Sequence, residues 1–166
     1  SAARRPDGSY ADSGERFGLY SSTGWVMWNA AISVLLNGVT TCVYDGHPSW
    51  PDAGALWRFA ADLKLSFLGA GAAYYSGCLK AGYSPRHAVD LAHLRTLGAT
   101  GSPLPPEAMV WGFDEVRPDL WWAVISGGTD FASAFLGGTP ELPTVPGQMQ
   151  ARCLGAPLRP RGRPRR

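Results

Sequence analysis

Apolar and polar residues change their spacing along this chain between a strand-like and a helix-like pattern. Short apolar or β-branched runs predict five strands, over residues 16–20, 39–45, 65–69, 120–126 and at the end of 91–100. Longer apolar or amphipathic stretches between them predict helices over residues 24–38, 53–64, 72–82 and 105–116. Strand and helix therefore alternate through most of the chain.

This alternation predicts an α/β fold, in which a mainly parallel sheet carries helices on both faces. Open sheets of this kind bind ligands at the carboxyl ends of their strands. Four segments that follow predicted strands are expected on that rim: SSTGW (21–25), YDGHP (44–48), TGSP (100–103) and SGGTD (126–130).

In the segment VISGGTDFAS (124–133), apolar residues give way abruptly to glycine and polar residues. It predicts a buried strand that stops at Ser126 and a tight turn at Gly127 and Gly128, where the backbone can approach a ligand closely. Thr129 and Asp130 then offer a hydroxyl and a carboxylate at the sheet edge. The same ten residues also fit an ordinary strand-to-loop turn with a helix cap.

Two other glycine-containing segments are candidates for binding. In TGSPLPPE (100–107), Gly101 permits close approach, Ser102 offers a hydroxyl, and the prolines begin a helix whose free N–H groups suit an anion or a nucleotide. An ordinary helix N-cap explains the segment equally well. GAGAAY (69–74) lacks the third glycine of a dinucleotide fingerprint, so a simple strand-to-helix turn is favoured.

Composition narrows the class of protein. A chain of 166 residues with a formal net charge of +2 predicts one domain with no general attraction to nucleic acid or membranes. Three widely spaced cysteines, no CxxC motif and no apolar run long enough to span a bilayer favour a cytoplasmic protein with reduced thiols. The three histidines have no metal-ligand spacing.

The two ends differ from the rest of the chain. Residues 1–15 are polar and predict an exposed run-in, and residues 156–166 include LRPRGRPRR, which predicts a disordered basic tail. The tail leaves a nucleic-acid binder open as a less favoured interpretation. A first residue other than Met suggests a piece of a longer protein.

Taken in order, several blocks resemble the AMP-forming acyl-CoA synthetases of the adenylate-making superfamily, and within it the acetoacetyl-CoA synthetases most closely. The blocks are STGWVMWN (22–29), LLNGVTTCVYDGHPSWPD (35–52), LRTLGATGSPLPPE (94–107), ISGGTDFASAFLGGTPELPTVPGQMQ (125–150) and RCLG (152–155). The resemblance covers residues 16–155, which would then be the central part of the large AMP-binding domain.

The resemblance implies that ATP activates acetoacetate as an acyl-adenylate, and that coenzyme A then displaces AMP. It implies that the AMP pocket is lined by Gly101, Ser102, Pro103, Ser126, Gly127 and Gly128. It further implies that Thr129 binds the α-phosphate, and that Asp130, where the family usually has Glu, lies near Mg²⁺. The acyl and coenzyme A passage would include Trp25, Val26, Met27, Thr100 and Gly127.

One departure from a related family bears on the substrate. Acetyl-CoA synthetases carry bulky tryptophans just before the Thr-Glu pair, where this chain has Ser126 and Gly127. Because a tryptophan covers roughly 150–250 Å², glycine at 127 is expected to leave room for a longer acyl group, and Gly127→Trp to penalise acetoacetate more than acetate.

The family's phosphate-binding loop and its lysine-bearing carboxyl-terminal domain are not found in this sequence. The chain is therefore expected to be inactive alone and to need the missing synthetase segments. A non-catalytic adenine-nucleotide-binding module is the main alternative interpretation.

Overall fold

The computed structural model describes residues 14–156, which form a parallel sheet and a smaller antiparallel sheet. The parallel sheet has the strand order β2-β1-β3-β4-β5, formed by β1 (Arg16–Leu19), β2 (Thr40–Cys42), β3 (Phe67–Gly71), β4 (Thr96–Thr100) and β5 (Trp121–Val124). The helices are α1 (Val26–Ser33), α2 (Ala55–Asp62), α3 (Ala72–Lys80), α4 (Pro85–Ala88) and α5 (Pro106–Glu115), with a 3-10 turn over Val34–Asn37.

All four strand pairings in the larger sheet are parallel. The longest pairing joins β3 to β4, from Phe67 opposite Thr96 to Gly71 opposite Thr100. Because parallel strands end at the same edge, the segments after β4 and β5 lie side by side there. The predicted α/β fold with a mainly parallel sheet and flanking helices is confirmed.

The hydrophobic core lies between the sheet and helices α2, α3 and α5. Strand residues alternate between faces, so Leu68 and Leu97 are buried among these helices. The phenol of Tyr75 lies within hydrogen-bond distance of the carbonyls of Leu68 (3.1 Å) and Gly98 (2.9 Å), which satisfies the buried hydroxyl. Other large core side chains are Trp57, Trp122, Leu56, Leu65, Leu94 and Met109.

Gly98 and Gly112 are among the glycines that make room for aromatic rings. A Cβ at Gly98 would collide with the ring of Phe67, and a Cβ at Gly112 would collide with the indole of Trp122. Phe67 also stacks on Phe17 of the next strand, with ring centroids 4.1 Å apart. The rings therefore lie across positions where a side chain is absent.

The second sheet was not predicted. It has the order β6-β7-β8 and is formed by β6 (Ser126–Gly128), β7 (Ser133–Gly137) and β8 (Ala151–Arg152), all antiparallel. The predicted tight turn at Gly127 and Gly128 is therefore wrong: both glycines belong to β6, and the chain turns over residues 129–132. This segment is a strand because it pairs with β7, although its small residues have no strand-like pattern of their own.

Several element ends follow the sequence expectation. The helical segment predicted over residues 24–38 is α1 and the 3-10 turn, and it ends at Gly38, whose φ of 69° is left-handed. The segment around Pro85, for which no element was predicted, contains α4. Apart from residues 14, 15 and 156, the predicted run-in and basic tail lie outside the described residues. Within residues 14–156, no helix has the length and apolar character needed to cross a membrane.

Candidate functional site

A cavity of about 860 Å³ lies at the carboxyl ends of β4 and β5. Six parts of the chain contribute to its lining: α1 with the residue before it, the segment after β4, Met109 of α5, the passage from β5 into β6, the start of β7, and residues 147–149. Ten of the twelve predicted site residues line this cavity: Trp25, Val26, Met27, Thr100, Gly101, Ser102, Pro103, Ser126, Gly127 and Gly128.

The segment after β4 forms one wall. Thr100 ends the strand and is buried, and Gly101 turns the chain with a φ of 88°, a left-handed conformation that favours glycine. The indole of Trp25 lies beside Gly101, because a Cβ built there would be 3.6 Å from the ring. Pro106 begins α5, as the proline pair predicts, so Ser102 and Pro103 lie between a strand end and a helix start.

Strand β6 forms a second wall, and its two glycines differ in their surroundings. A Cβ at Gly127 would meet the backbone of β7, 2.8 Å from Cα of Ala134 and closer still to the carbonyl oxygen of Ser133. A Cβ at Gly128 would have no atom within 4 Å. The expectation that Gly127 leaves room for a longer acyl group is corrected, because a side chain there points at β7. Space for a side chain exists at Gly128.

Thr129 and Asp130, the remaining two predicted residues, do not line the cavity. They lie exposed in the turn that joins β6 to β7, directly after the lining residue Gly128. The amide of Ala132 donates to the carbonyl of Thr129 over 3.0 Å, and Phe131 stacks on Phe135 with ring centroids 5.0 Å apart. These contacts hold the turn beside the cavity, with the Thr129 hydroxyl and the Asp130 carboxylate open to solvent.

Asp130 is the predicted metal ligand. Among residues 14–156, no three His, Cys, Asp or Glu side chains come together as a ready metal site. Mg²⁺ commonly takes only one or two protein carboxylates and completes its coordination with substrate phosphates and water. A single exposed carboxylate at the cavity edge fits that manner of binding, with phosphate oxygens as the other ligands.

Residues 147–149 form a wall that the sequence analysis missed. Gly147 donates its amide to the sulfur of Met109 over 3.3 Å, which joins this segment to α5. Gln150 supports the segment: its carbonyl accepts from the indole of Trp121 (3.2 Å), and its amide donates to the carbonyl of Leu142 (2.8 Å). The amide also reaches the carbonyls of Thr139 and Pro143, each at 3.3 Å. The segment has no hydrophobic period, so nothing local in the sequence marks it as a wall.

Asn29 was also missed, although the helix period marks it. Residues 26, 29, 30 and 33 share one helical face by their spacing, and all four line the cavity. Once Val26 is placed in the site, Asn29 follows from this spacing.

YDGHP (44–48) follows β2, whose carboxyl end lies at the same edge of the parallel sheet as those of the other strands, as expected. None of its residues lines the cavity, because β2 is the strand farthest from β5. The Tyr20 hydroxyl instead donates to the carbonyl of Gly46 over 3.2 Å, and the ring of Tyr44 packs edge-on against Phe59. The segment is tied to the edge of the sheet near α2.

The relatives and the solved structure that match this chain carry the same name. No protein-family model matches the chain. The chain is 40% identical over 142 residues to an acetoacetyl-coenzyme A synthetase of Rhizobium meliloti, covering 86% of this chain and 22% of that protein. It is 37% identical over 136 residues to the acetoacetyl-CoA synthetase of Danio rerio, covering 82% of this chain and 20% of the relative.

A solved structure extends the likeness to the fold. The acetoacetyl-CoA synthetase from Streptomyces lividans superposes with a TM-score of 0.78 at 45% sequence identity, over 85% of this chain and 22% of that one. The chain thus spans about a fifth of the length of the proteins that it matches. In sequence and in fold, this chain is similar to about one fifth of an acetoacetyl-CoA synthetase.

Proposed function

We propose that the cavity binds an acyl-adenylate, and that the chain supplies this site for the ATP-dependent conversion of acetoacetate to acetoacetyl-CoA. The observation that carries the proposal is the single cavity that gathers ten predicted residues from three separate segments of the chain. The names of the relatives support acetoacetate and coenzyme A as the proposed substrates. ATP is proposed from the resemblance to the AMP-forming synthetases.

The reaction has two steps. A carboxylate oxygen of acetoacetate attacks the α-phosphorus of ATP, and pyrophosphate leaves. The thiol of coenzyme A then attacks the acyl carbonyl carbon, and AMP leaves with the bonding electrons. Such transfers depend chiefly on holding the reacting atoms in line and stabilising developing negative charge.

Each wall of the cavity has a part in this proposal. Residues 101–103 and 126–128 receive the adenosine, since glycine backbone and small side chains let a flat base lie close. The acyl chain lies among Trp25, Val26 and Met27, with Thr100 and Gly127 nearby. Thr129 donates its hydroxyl to the α-phosphate. Asp130 holds Mg²⁺, which neutralises phosphate charge when bound.

The test measures binding of AMP to the 166-residue chain by NMR, through the backbone amide resonances of the residues that line the cavity. We expect shifts at Gly101, Ser102 and Gly128, and we expect Gly128→Phe to abolish them because its ring would occupy the cavity. Gly77→Phe is the matched control, since Gly77 is exposed on α3 and also has no atom within 4 Å of a built Cβ. AMP shifts that avoid the cavity, or that persist in Gly128→Phe, would contradict the proposal.

A further inference from the structure

The cavity wall formed by α1 is mostly apolar but carries a carboxamide. Val26, Ala30 and the neighbouring Met27 contribute apolar surface, whereas Asn29 and Ser33 contribute the polar groups. The Ser33 hydroxyl is already used, since it donates to the carbonyl of Ala30 over 2.9 Å. Asn29 is exposed and lines the cavity, and its side chain makes no hydrogen bond to another residue within 14–156.

A carboxamide offers two N–H donors and one acceptor. When a ligand excludes water from an apolar wall, such a group loses its hydration unless the ligand replaces it. The ligand group that meets Asn29 should therefore be polar and, for the N–H donors, a hydrogen-bond acceptor. Of two acids of equal chain length, a 3-oxo acid carries such an acceptor at carbon 3, where a saturated acid has only a methylene group.

We propose that the side-chain amide of Asn29 donates a hydrogen bond to the 3-oxo oxygen of the bound acyl group, and so distinguishes a 3-oxo acid from a saturated acid of equal length. This inference rests on the proposed function, in which the adenosine lies at residues 101–103 and 126–128 and the acyl chain extends toward α1. Shape alone would discriminate poorly, because a purely apolar pocket separates near-isosteric groups weakly, whereas a site with a dedicated donor penalises the analogue that lacks its partner.

The test uses two stable acyl-adenylate analogues that differ at one position: N-acetoacetyl and N-butanoyl sulfamoyl adenosine. Each is titrated by calorimetry into the 166-residue chain, and the side-chain amide resonances of Asn29 are followed by NMR. We expect the wild-type chain to prefer the acetoacetyl analogue by about 2- to 10-fold, the value of one neutral hydrogen bond. The Asn29 amide resonances should shift with this analogue and not with the butanoyl one.

Asn29→Leu should abolish the preference and leave butanoyl affinity equal to or higher than that of the wild-type chain, because leucine keeps the volume and removes the donor that the butanoyl analogue leaves unpaired. Asn37→Leu is the matched control: Asn37 is exposed at the end of the 3-10 turn and outside the cavity lining, so the preference should remain. Asn29→Ala provides a second variant if leucine perturbs the helix, and it should also abolish the preference.

The outcomes separate the two proposals. Equal affinity of the wild-type chain for both analogues, or a preference that survives in Asn29→Leu and Asn29→Ala, overturns the role of Asn29 and leaves the adenylate site standing. Failure of both analogues and of AMP to perturb the cavity resonances overturns the proposed function, and the role of Asn29 with it.

Discussion

The two neighbouring glycines of β6 provide a matched pair of substitutions. In Gly127→Ala the added methyl group would press on the backbone of β7, with Cα of Ala134 at 2.8 Å and the carbonyl carbon of Ser133 at 3.0 Å. Neither atom belongs to a flexible side chain, so β6 and β7 must separate. In Gly128→Ala the methyl group enters open space. One small change therefore tests whether close backbone contact holds this wall of the cavity.

The expected magnitudes follow from two opposing effects. Forcing a methyl group into a tight contact costs about 1–3 kcal/mol. Replacing glycine by alanine at a compatible backbone conformation stabilises by about 0.4–1 kcal/mol, since the unfolded chain loses freedom. We therefore expect Gly127→Ala to destabilise the β6–β7 pairing by about 1–2 kcal/mol net, and Gly128→Ala to be neutral or slightly stabilising.

Hydrogen exchange of the β7 amides measures this difference directly. A loss of one to two kcal/mol raises the open population about 5- to 30-fold, so amides of Ser133–Gly137 should exchange faster by that factor in Gly127→Ala alone. Amides of β3 and β4 in the larger sheet serve as the internal reference and should be unchanged. Equal exchange in the two variants would refute the close contact between Gly127 and β7.

The remaining predictions concern the support of the cavity wall and the ionisation of the core. Gln150→Ala should speed hydrogen exchange across residues 139–149 and destabilise the fold by about 1–3 kcal/mol. The reason is that the change removes the hydrogen-bond acceptor of the Trp121 indole and the donor to three carbonyls. Unchanged exchange in these residues would show that Gln150 does not hold the segment in place. Burial raises the pKa of Tyr74 and of Tyr75, so the folded chain keeps protons that the unfolded chain loses near pH 10. The free energy of unfolding should therefore fall as pH rises above about 10. Tyrosinate absorbance of these two phenols should appear only when the chain unfolds, and their titration near pH 10 in the folded chain would contradict the raised pKa.

The larger sheet was predictable because its strands carry their own signal. Leu68 and Leu97 lie in short apolar runs that are separated by helix-length segments, and such a pattern is typical of parallel strands. The cavity position followed from the same fact, since residues after β4 and β5 must meet at one sheet edge. Residues 44–48 share that edge without lining the cavity, because strand order places β2 farthest from β5, and strand order is a non-local property.

The second sheet could not be predicted from local sequence. Strand β6 is Ser-Gly-Gly and β8 is two residues long, so neither has an alternating pattern. Both are strands only because β7 lies between them. The placement of Thr129 and Asp130 in an exposed turn and the four contacts of Gln150 depend on this pairing. For the same reason, the clash at Gly127 appeared only in three dimensions.

The rings that lie over glycines make certain positions depend on one another. Phe67 occupies the space that a Gly98 side chain would need, and Trp122 does the same at Gly112. Each pair holds a single shared volume, so a gain of side chain at the glycine is tolerable only with a smaller residue at the ring. Substitutions at the two members of a pair should be epistatic, with a double change milder than the sum of its parts. The two positions of such a pair should therefore vary together among related sequences, because a change at one position restricts which residues fit at the other.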